Sequence, residues 1–332
     1  VISLQDRARG SFLGLAVGDA LGGPTEGKTP EQITNLWGRV TDFLTEEQGG
    51  SDDTEYALFS AKLLVEKKLE LNYDAVSEAW RKNIIKAGNA YKGAGFSEIM
   101  AINNLLKGLN APQSGMHLHS WSDGLAMRAA PFGIACSGKP QLAAKLAGID
   151  GSVSHSGEGI YGGQAVAAAV SAAMAGASID EIIDSALKVI PNDSWTYSAI
   201  LRGVEIGTET TDVWSAIEPL HKDIVCSYYF WTDVAPEAVG LAFGLITAAK
   251  GNYNDAVLGA VNIGRDTDTI AAITGGICGA MHGVSVIPEN WINRITVSRG
   301  ICINAVKGMK IIDAADELAL LAQEWSMINE CK

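Results

Sequence analysis

Glycine recurs every fourth residue in two widely separated stretches of this 332-residue chain, at Gly10, Gly14 and Gly18 and again at Gly275, Gly279 and Gly283. A period of four keeps to one face of a helix, so each stretch would present a stripe without side chains, against which another backbone can pack closely. Each such glycine costs about 1 kcal/mol of helix propensity relative to alanine, and packing has to return it. The chain is thereby constrained toward tightly packed helices. The rest of the pattern agrees: helical segments are predicted over 9–21, from residue 51 onward, and over 73–87, 96–106, 163–175, 179–190, 236–249, 266–282 and 313–327. Pro236 at a first helical position and Gly251 just past the end follow the expected asymmetry of helix termini. Sustained period-two alternation is rare, and residues 217–229 are too mixed to support a sheet. No polar linker or composition break divides the chain, so one large, mostly α domain over 1–332 is expected, with long loops at 22–50, 108–123, 148–162 and 191–195.

Composition narrows the function classes. With 25 Lys and Arg against 38 Asp and Glu, the net charge is −13, which argues against a surface that follows a nucleic-acid backbone. Glycine is abundant at 37 residues while proline is only 9, so the excess does not signal Pro/Gly-rich disorder. Five cysteines, Cys136, Cys226, Cys278, Cys302 and Cys331, are odd in number and lack a CxxC pair. That usage fits a reducing compartment, and a cytoplasmic location is expected. Residues 1–10 carry Asp6, Arg7 and Arg9 and no long apolar core, unlike a signal peptide. The apolar stretch 165–177 is built mostly of alanine, which suits helix packing in water, so no membrane role is expected.

Two acidic clusters carry the chemistry. Ser51-Asp52-Asp53-Thr54 opens one predicted helix, with Ser51 as a candidate N-cap, and Asp266-Thr267-Asp268-Thr269 opens another. Acidic first turns suit the helix dipole by themselves, so each cluster alone also has an ordinary structural explanation. If the two face each other, four carboxylates and several hydroxyls converge, an arrangement costly in repulsion and desolvation unless cations offset it. Two divalent cations would cancel four charges, and all-oxygen ligation selects Mg²⁺ or Mn²⁺. Asp266 and Asp268 are two positions apart and would diverge on a regular helix, which puts Asp266 in the lead-in turn.

Five blocks bear a family pattern: GSFLGLAVGDALGGPTEG from Gly10, SDDTEYAL from Ser51, SDGLAMRAAPFG from Ser122, SVSHSGEGIYGG from Ser152, and NIGRDTDTIAAITGGICGAMHGVSVIPENW from Asn262. In this order, running through Trp291, they resemble the ADP-ribosylglycohydrolase family, which includes dinitrogenase-reductase-activating glycohydrolase and the ADP-ribosyl-arginine hydrolases. The resemblance implies an all-α, orthogonally packed multi-helix domain with two Mg²⁺ or Mn²⁺ ions in a cleft. It assigns Ser51, Asp52, Asp53, Asp266, Asp268 and Thr269 to the metals; the first hydroxyl is often Thr in the family, and Ser51 keeps the oxygen. Asp123 stands where many relatives carry Asn, replacing a donor amide by an acceptor or acid.

The implied reaction is hydrolysis of an N- or O-glycosidic bond of ADP-ribose, in a small molecule or an ADP-ribosylated protein. Asp53 or Asp266 would orient or deprotonate water, and Glu26 matches a loop glutamate that would protonate the leaving group, although a solvated loop residue reads the same way. Asp19, Asp123, His155, Gly157, Gly159 and Arg265 are the further candidates for substrate contact. Each has a structural alternative: Asp19 as organiser of the loop, His155 as a satisfied buried imidazole, the glycines as helix-entry flexibility, Arg265 as a balance for neighbouring acids. Arg128 fits either a cleft carboxylate or a structural ion pair, and Trp121, Trp195, Tyr229 and Trp231 fit ligand stacking or core packing. His117 and His119, without an HExxH or Cys/His cluster, do not make a zinc site. Two other functions remain compatible: a nucleoside or small-glycoside hydrolase, and a catalytically weak ADP-ribose-binding module.

Overall fold

The computed structural model describes residues 2–46, 49–88 and 91–328. Cys331 and, in the predicted loop 22–50, Glu47 and Gln48 lie outside the described residues. Sixteen α-helices and no strands are present among the described residues. They are α1 (Leu4–Gly22), α2 (Pro30–Trp37), α3 (Asp52–Lys67), α4 (Tyr73–Trp80), α5 (Phe96–Leu106), α6 (Ala130–Ala135), α7 (Pro140–Gly151) and α8 (Glu158–Met174). There follow α9 (Ile179–Leu187), α10 (Trp195–Glu209), α11 (Val213–Ile224), α12 (Ala235–Ala248), α13 (Tyr253–Asn262), α14 (Thr267–His282), α15 (Glu289–Ile292) and α16 (Ile311–Ile328). None of the described helices is long and apolar enough to cross a membrane.

The two glycine stripes belong to one contact. Helices α1 and α14 run antiparallel with backbones touching: Gly10 faces the Gly279 carbonyl, Gly14 that of Gly275, Gly18 that of Ala271 and Gly22 that of Thr267. A Cβ at any of these four positions would overlap the facing carbonyl oxygen. The pair is pinned at the far end by Arg7, whose Nη1 donates to the carbonyls of Ala280 at 2.8 Å and Met281 at 2.5 Å, where the dipole of α14 favours a cation. At the near end, α1 finishes beside the start of α14, so the stripe delivers two chain segments to one place.

Buried acids fix other joints. Glu55 of α3 accepts three backbone N–H bonds, from Ile301 at 2.8 Å and from Cys302 and Ile303 at 2.7 Å. Glu158 accepts from the N–H groups of Trp195 and Thr196, both at 2.9 Å, and from the Thr196 hydroxyl at 2.7 Å, joining the first turns of α8 and α10. The predicted loop 22–50 contains α2, opened by a capping box between Thr29 and Gln32. Within the predicted loop 148–162, α7 continues to Gly151 and α8 already begins at Glu158. Residues 217–224 of the mixed stretch belong to α11, with Pro219 inside that helix.

Candidate active site

Three helix ends build the site. Near the end of α1, the buried Asp19 carboxylate takes the Ser51 N–H at 2.8 and 3.0 Å, the Thr54 N–H at 3.1 Å and the Thr54 hydroxyl at 2.5 Å. It thereby clamps the N-terminus of α3 onto α1. Ser51 caps α3, its hydroxyl accepting the Asp53 N–H at 3.3 Å. The two acidic clusters are then joined directly: the Thr269 hydroxyl donates to Asp53 Oδ2 at 3.1 Å across a sequence separation of 216. Asp266 is the lead-in residue of α14, with Asp268 and Thr269 in its first turn.

Glu26 arrives on the loop after α1. Thr25 and Thr267 hydroxyls both donate to the Gly22 carbonyl at 2.9 Å, and Gly27 and Lys28 exchange backbone bonds of 2.9 Å with Arg265. These ties bring Glu26, Asp266 and Asp268 together, with one carboxylate oxygen of each within 4.8 Å of the others. The cavity above them measures about 460 Å³ and is walled by eight carboxyls: Glu26, Asp52, Asp53, Glu98, Asp123, Asp233, Asp266 and Asp268. Its lining includes no Lys or Arg among the described residues.

Such crowding moves the carboxyls away from their usual titration range. Burial raises Asp53 well above the ordinary carboxylate value, and the charges of Asp19 and Asp268 add to it. Asp268 is raised well by burial and by Asp266, Asp266 by burial and Asp123, Asp123 by burial and Asp233, and Asp52 by burial and Asp268. The buried oxygens Oδ2 of Asp123, Oδ1 of Asp268 and Oε1 of Glu98 have no hydrogen-bond partner. A donor set that is all oxygen, strongly anionic and incompletely partnered fits a hard divalent cation.

A pH signature follows. In the fold these carboxyls hold protons more tightly than in the unfolded chain, so their contribution is favourable below the ordinary carboxylate range and is lost as pH rises through the raised values. A bound cation removes that loss, because it competes with the protons. Buried histidines such as His155, held neutral well below the usual value by burial and Arg128, act equally with and without cations and cancel in the difference. The rise in melting temperature on adding Mg²⁺ to chelator-treated protein is therefore expected to grow from about pH 5 to about pH 8. An increment that shrinks over that interval would contradict the cation fit.

The remaining sequence-derived residues are placed as follows. Asp19 does not line the cavity and acts on α3. His155 is buried, with Nε2 3.0 Å from the Ser122 hydroxyl and Nδ1 2.8 Å from that of Ser154. Together with Gly157 it borders a separate cavity of about 670 Å³, whose lining shares no residue with that of the acidic one. Gly159 packs against the Ser120 carbonyl, where a side chain would collide. Arg265 grips Glu237, with Nε–Oε1 at 2.9 Å and Nη2–Oε1 at 2.6 Å, and donates to the Trp231 carbonyl at 2.9 Å. Arg128 is a buried structural cation, 3.4 Å from Asp150 and 5.4 Å from the ring centres of Tyr56 and Trp80. Of the four aromatics, Trp231 lines the acidic cavity; Trp121, Trp195 and Tyr229 line an adjoining one of about 510 Å³. Glu98 and Asp233 complete the acidic wall yet belong to no acidic pair or motif in the sequence, so only the fold identifies them.

An ADP-ribosylglycohydrolase family model aligns with residues 1–326. An uncharacterized protein of Archaeoglobus fulgidus is 33% identical over 87% of this chain and 91% of its own length. The ADP-ribosylarginine hydrolase Tri1 of Pseudomonas putida is 25% identical over 89% of this chain and 76% of its own. A solved ADP-ribosylglycohydrolase-related protein superposes with a TM-score of 0.66 at 22% identity, covering 98% of this chain and 99% of that one, a likeness of fold. Helix starts that meet at Asp53 and Thr269, and a family match running almost from end to end, place the chain in the ADP-ribosylglycohydrolase family.

Proposed function

We propose that the protein hydrolyses the N- or O-glycosidic bond joining ADP-ribose to an acceptor, with ADP-ribosyl-arginine or a related adduct as substrate. The observation that carries this reading is the Thr269–Asp53 bond, which unites the two acidic helix starts in one cavity. The name of the Pseudomonas relative supports the arginine adduct. Ser51, Asp52, Asp53, Asp266, Asp268 and Thr269 would hold two divalent cations, Mg²⁺ or Mn²⁺, which when bound supply positive charge that orients ribose hydroxyls and water.

The chain's own groups move the protons. Asp53 or Asp266 takes a proton from water as its oxygen bonds to the anomeric carbon, and Glu26 gives one to the departing nitrogen or oxygen as the glycosidic bond breaks. Glu26 suits the acid role because, although its side chain is exposed, desolvation beside the cavity and the charge of Asp233 raise its carboxyl above the usual range. Asp123, with its unpartnered Oδ2, accepts a hydrogen bond from substrate. Arg265 acts by holding Trp231, and the stretch with His155, Gly157 and Gly159 acts through the wall it supports, His155 bonding the Ser122 hydroxyl that lines the acidic cavity and Gly159 packing on the Ser120 carbonyl. Glu26→Gln is expected to lower kcat by about 100-fold at saturating Mn²⁺, as loss of general-acid help does; unchanged kcat would remove Glu26 from the mechanism.

A lining without Lys or Arg favours one rival, an uncharged nucleoside or small glycoside. Purified protein incubated with ADP-ribosyl-arginine and with a nucleoside panel, with Mg²⁺ or Mn²⁺ and after chelation, separates the two. Metal-dependent release of ADP-ribose supports the proposal, ribose plus base supports the rival, and ligand binding without turnover supports a binding module.

A further inference from the structure

Glu98 is built into the acidic cavity by more of the chain than its isolated place in the sequence suggests. It sits in the first turn of α5, is 1% exposed, and lines the cavity. Oε2 accepts the Ser97 hydroxyl at 2.7 Å, while Oε1 has no hydrogen-bond partner. Two glycines make room for the carboxylate: a Cβ at Gly124 would come within 2.5 Å of Oε1, and one at Gly95 within 2.8 Å of Oε2. The nearest basic group, His155 Nε2 at 4.0 Å, is kept neutral by burial and by Arg128, and it bonds Ser122 instead. Arg128, paired with Asp150, makes no salt bridge to Glu98, and its charge offsets the burial of the Glu98 carboxyl only in part. The carboxylate is thus desolvated, spatially accommodated and short of one positively charged donor.

Aromatic side chains border the same cavity. Phe96, two residues before Glu98, stacks on His119 at 5.2 Å and 29°. Trp231 stands edge-on to both, 6.3 Å from Phe96 and 5.2 Å from His119. Rings held against one another beside a carboxylate suit a flat cation that offers N–H groups at its edge and a face to the rings.

We propose that Glu98 determines specificity by accepting N–H hydrogen bonds from a planar, positively charged leaving group of the guanidinium class that lies against Trp231. The inference rests on the reading that this cavity cleaves a glycosidic bond, and it adds the residue that selects what leaves. Burial raises the Glu98 carboxyl, so its ionised form gains from an incoming positive charge. A neutral leaving group would keep Oε1 desolvated and unpaired, the circumstance in which a polar site discriminates most strongly.

The test uses Mn²⁺-loaded full-length protein and two planar probes, charged methylguanidinium and neutral urea, titrated calorimetrically into the parent and Glu98→Gln. Methylguanidinium is expected to bind the parent at least about tenfold more tightly than urea, and Glu98→Gln to lose that preference, as charge-assisted pairs do. In parallel, kcat/KM for ADP-ribosyl-arginine should fall about tenfold or more in Glu98→Gln, with that for an O-linked ADP-ribosyl-serine peptide changing less than about threefold. Equal affinity for the two probes in the parent, or an undiminished methylguanidinium preference in Glu98→Gln, overturns the proposal. So does an equal loss on both substrates accompanied by loss of bound Mn²⁺, which would make Glu98 a metal ligand. Glu98-dependent methylguanidinium binding in a parent that hydrolyses neither substrate sinks the hydrolase reading, and with it the leaving-group role, while recognition of a guanidinium-class cation by Glu98 stands. Should Glu98→Gln not fold, Gly124→Ala, which displaces Oε1 without removing it, carries the same comparison.

Discussion

Asp53→Asn and Asp268→Asn are each expected to lower turnover by about 1,000-fold or more, while the melting temperature of the chelator-treated protein rises. The two effects have one cause. Asp53 is pushed up by burial and by the charges of Asp19 and Asp268, and Asp268 by burial and the charge of Asp266, so removing either carboxylate relieves repulsion that only cations otherwise offset. Asparagine keeps the volume and, at position 53, an oxygen for the Thr269 hydroxyl. Relief of roughly 1 kcal/mol would raise the midpoint by about 2 °C without metal, and the order should invert with saturating Mg²⁺, because the parent alone gains fully from the ion. A variant that loses activity and is also less stable without metal would instead point to a structural role. Full turnover in both variants would reject the assigned metal roles.

The second large effect is on folding. Gly14→Ala and Gly279→Ala are each expected to cost about 3 kcal/mol or more of stability, although alanine is the better helix former by about 1 kcal/mol. The new Cβ would overlap the carbonyl of Gly275 in the first case and that of Gly10 in the second, and a backbone carbonyl cannot turn aside as a side chain does. Gly23→Ala is the control: nothing lies within 4 Å of its Cβ, and its effect should stay within about 0.5 kcal/mol. Because α1 carries Asp19 and leads to Glu26 while α14 carries Asp268 and Thr269, forcing the pair apart should also weaken divalent-ion binding in whatever fraction folds. Chemical denaturation of the three variants, with Mn²⁺ uptake measured alongside, tests both halves. Gly14→Ala with parental stability would dismiss the backbone contact as the organiser of the fold.

The same residues show what could be read before the fold was known. The glycine stripes were legible because their spacing is local; that they face each other was not, since nothing near Gly14 identifies Gly275. Ser51 as a cap and Asp266 as a lead-in residue followed from helix-terminus chemistry, and both hold. The boundaries that shifted have local physical reasons. Helix α8 starts at Glu158 because Gly157, at a φ of +55°, turns the chain and Glu158 finds donors on α10, a partner 37 positions away. Helix α2 carries its own signal in Thr29, Pro30 and Gln32, but its eight residues are too short for periodicity to register.

Site residues divided by the range of their partners. Asp53 and Asp268 sit in motifs dense enough to stand out; Glu98 and Asp233 are single acids whose importance comes from what surrounds them. Residue type pointed His155 and Arg265 toward a ligand, whereas the fold supplies both with protein partners 28 to 33 positions away, Ser122 for the imidazole and Glu237 for the guanidinium. Such pairings have no signature in a linear pattern, since each needs two elements to be docked first.

The claim on which everything turns is that the starts of α3 and α14 together hold a pair of divalent cations. Titrating chelator-treated protein with Mn²⁺ and following bound ions by electron paramagnetic resonance tests it most directly. Two ions per chain with mutual spin coupling, both weakened in Asp53→Asn and in Asp268→Asn, are the predicted result. No uptake by folded protein, or uptake indifferent to both substitutions, would contradict it.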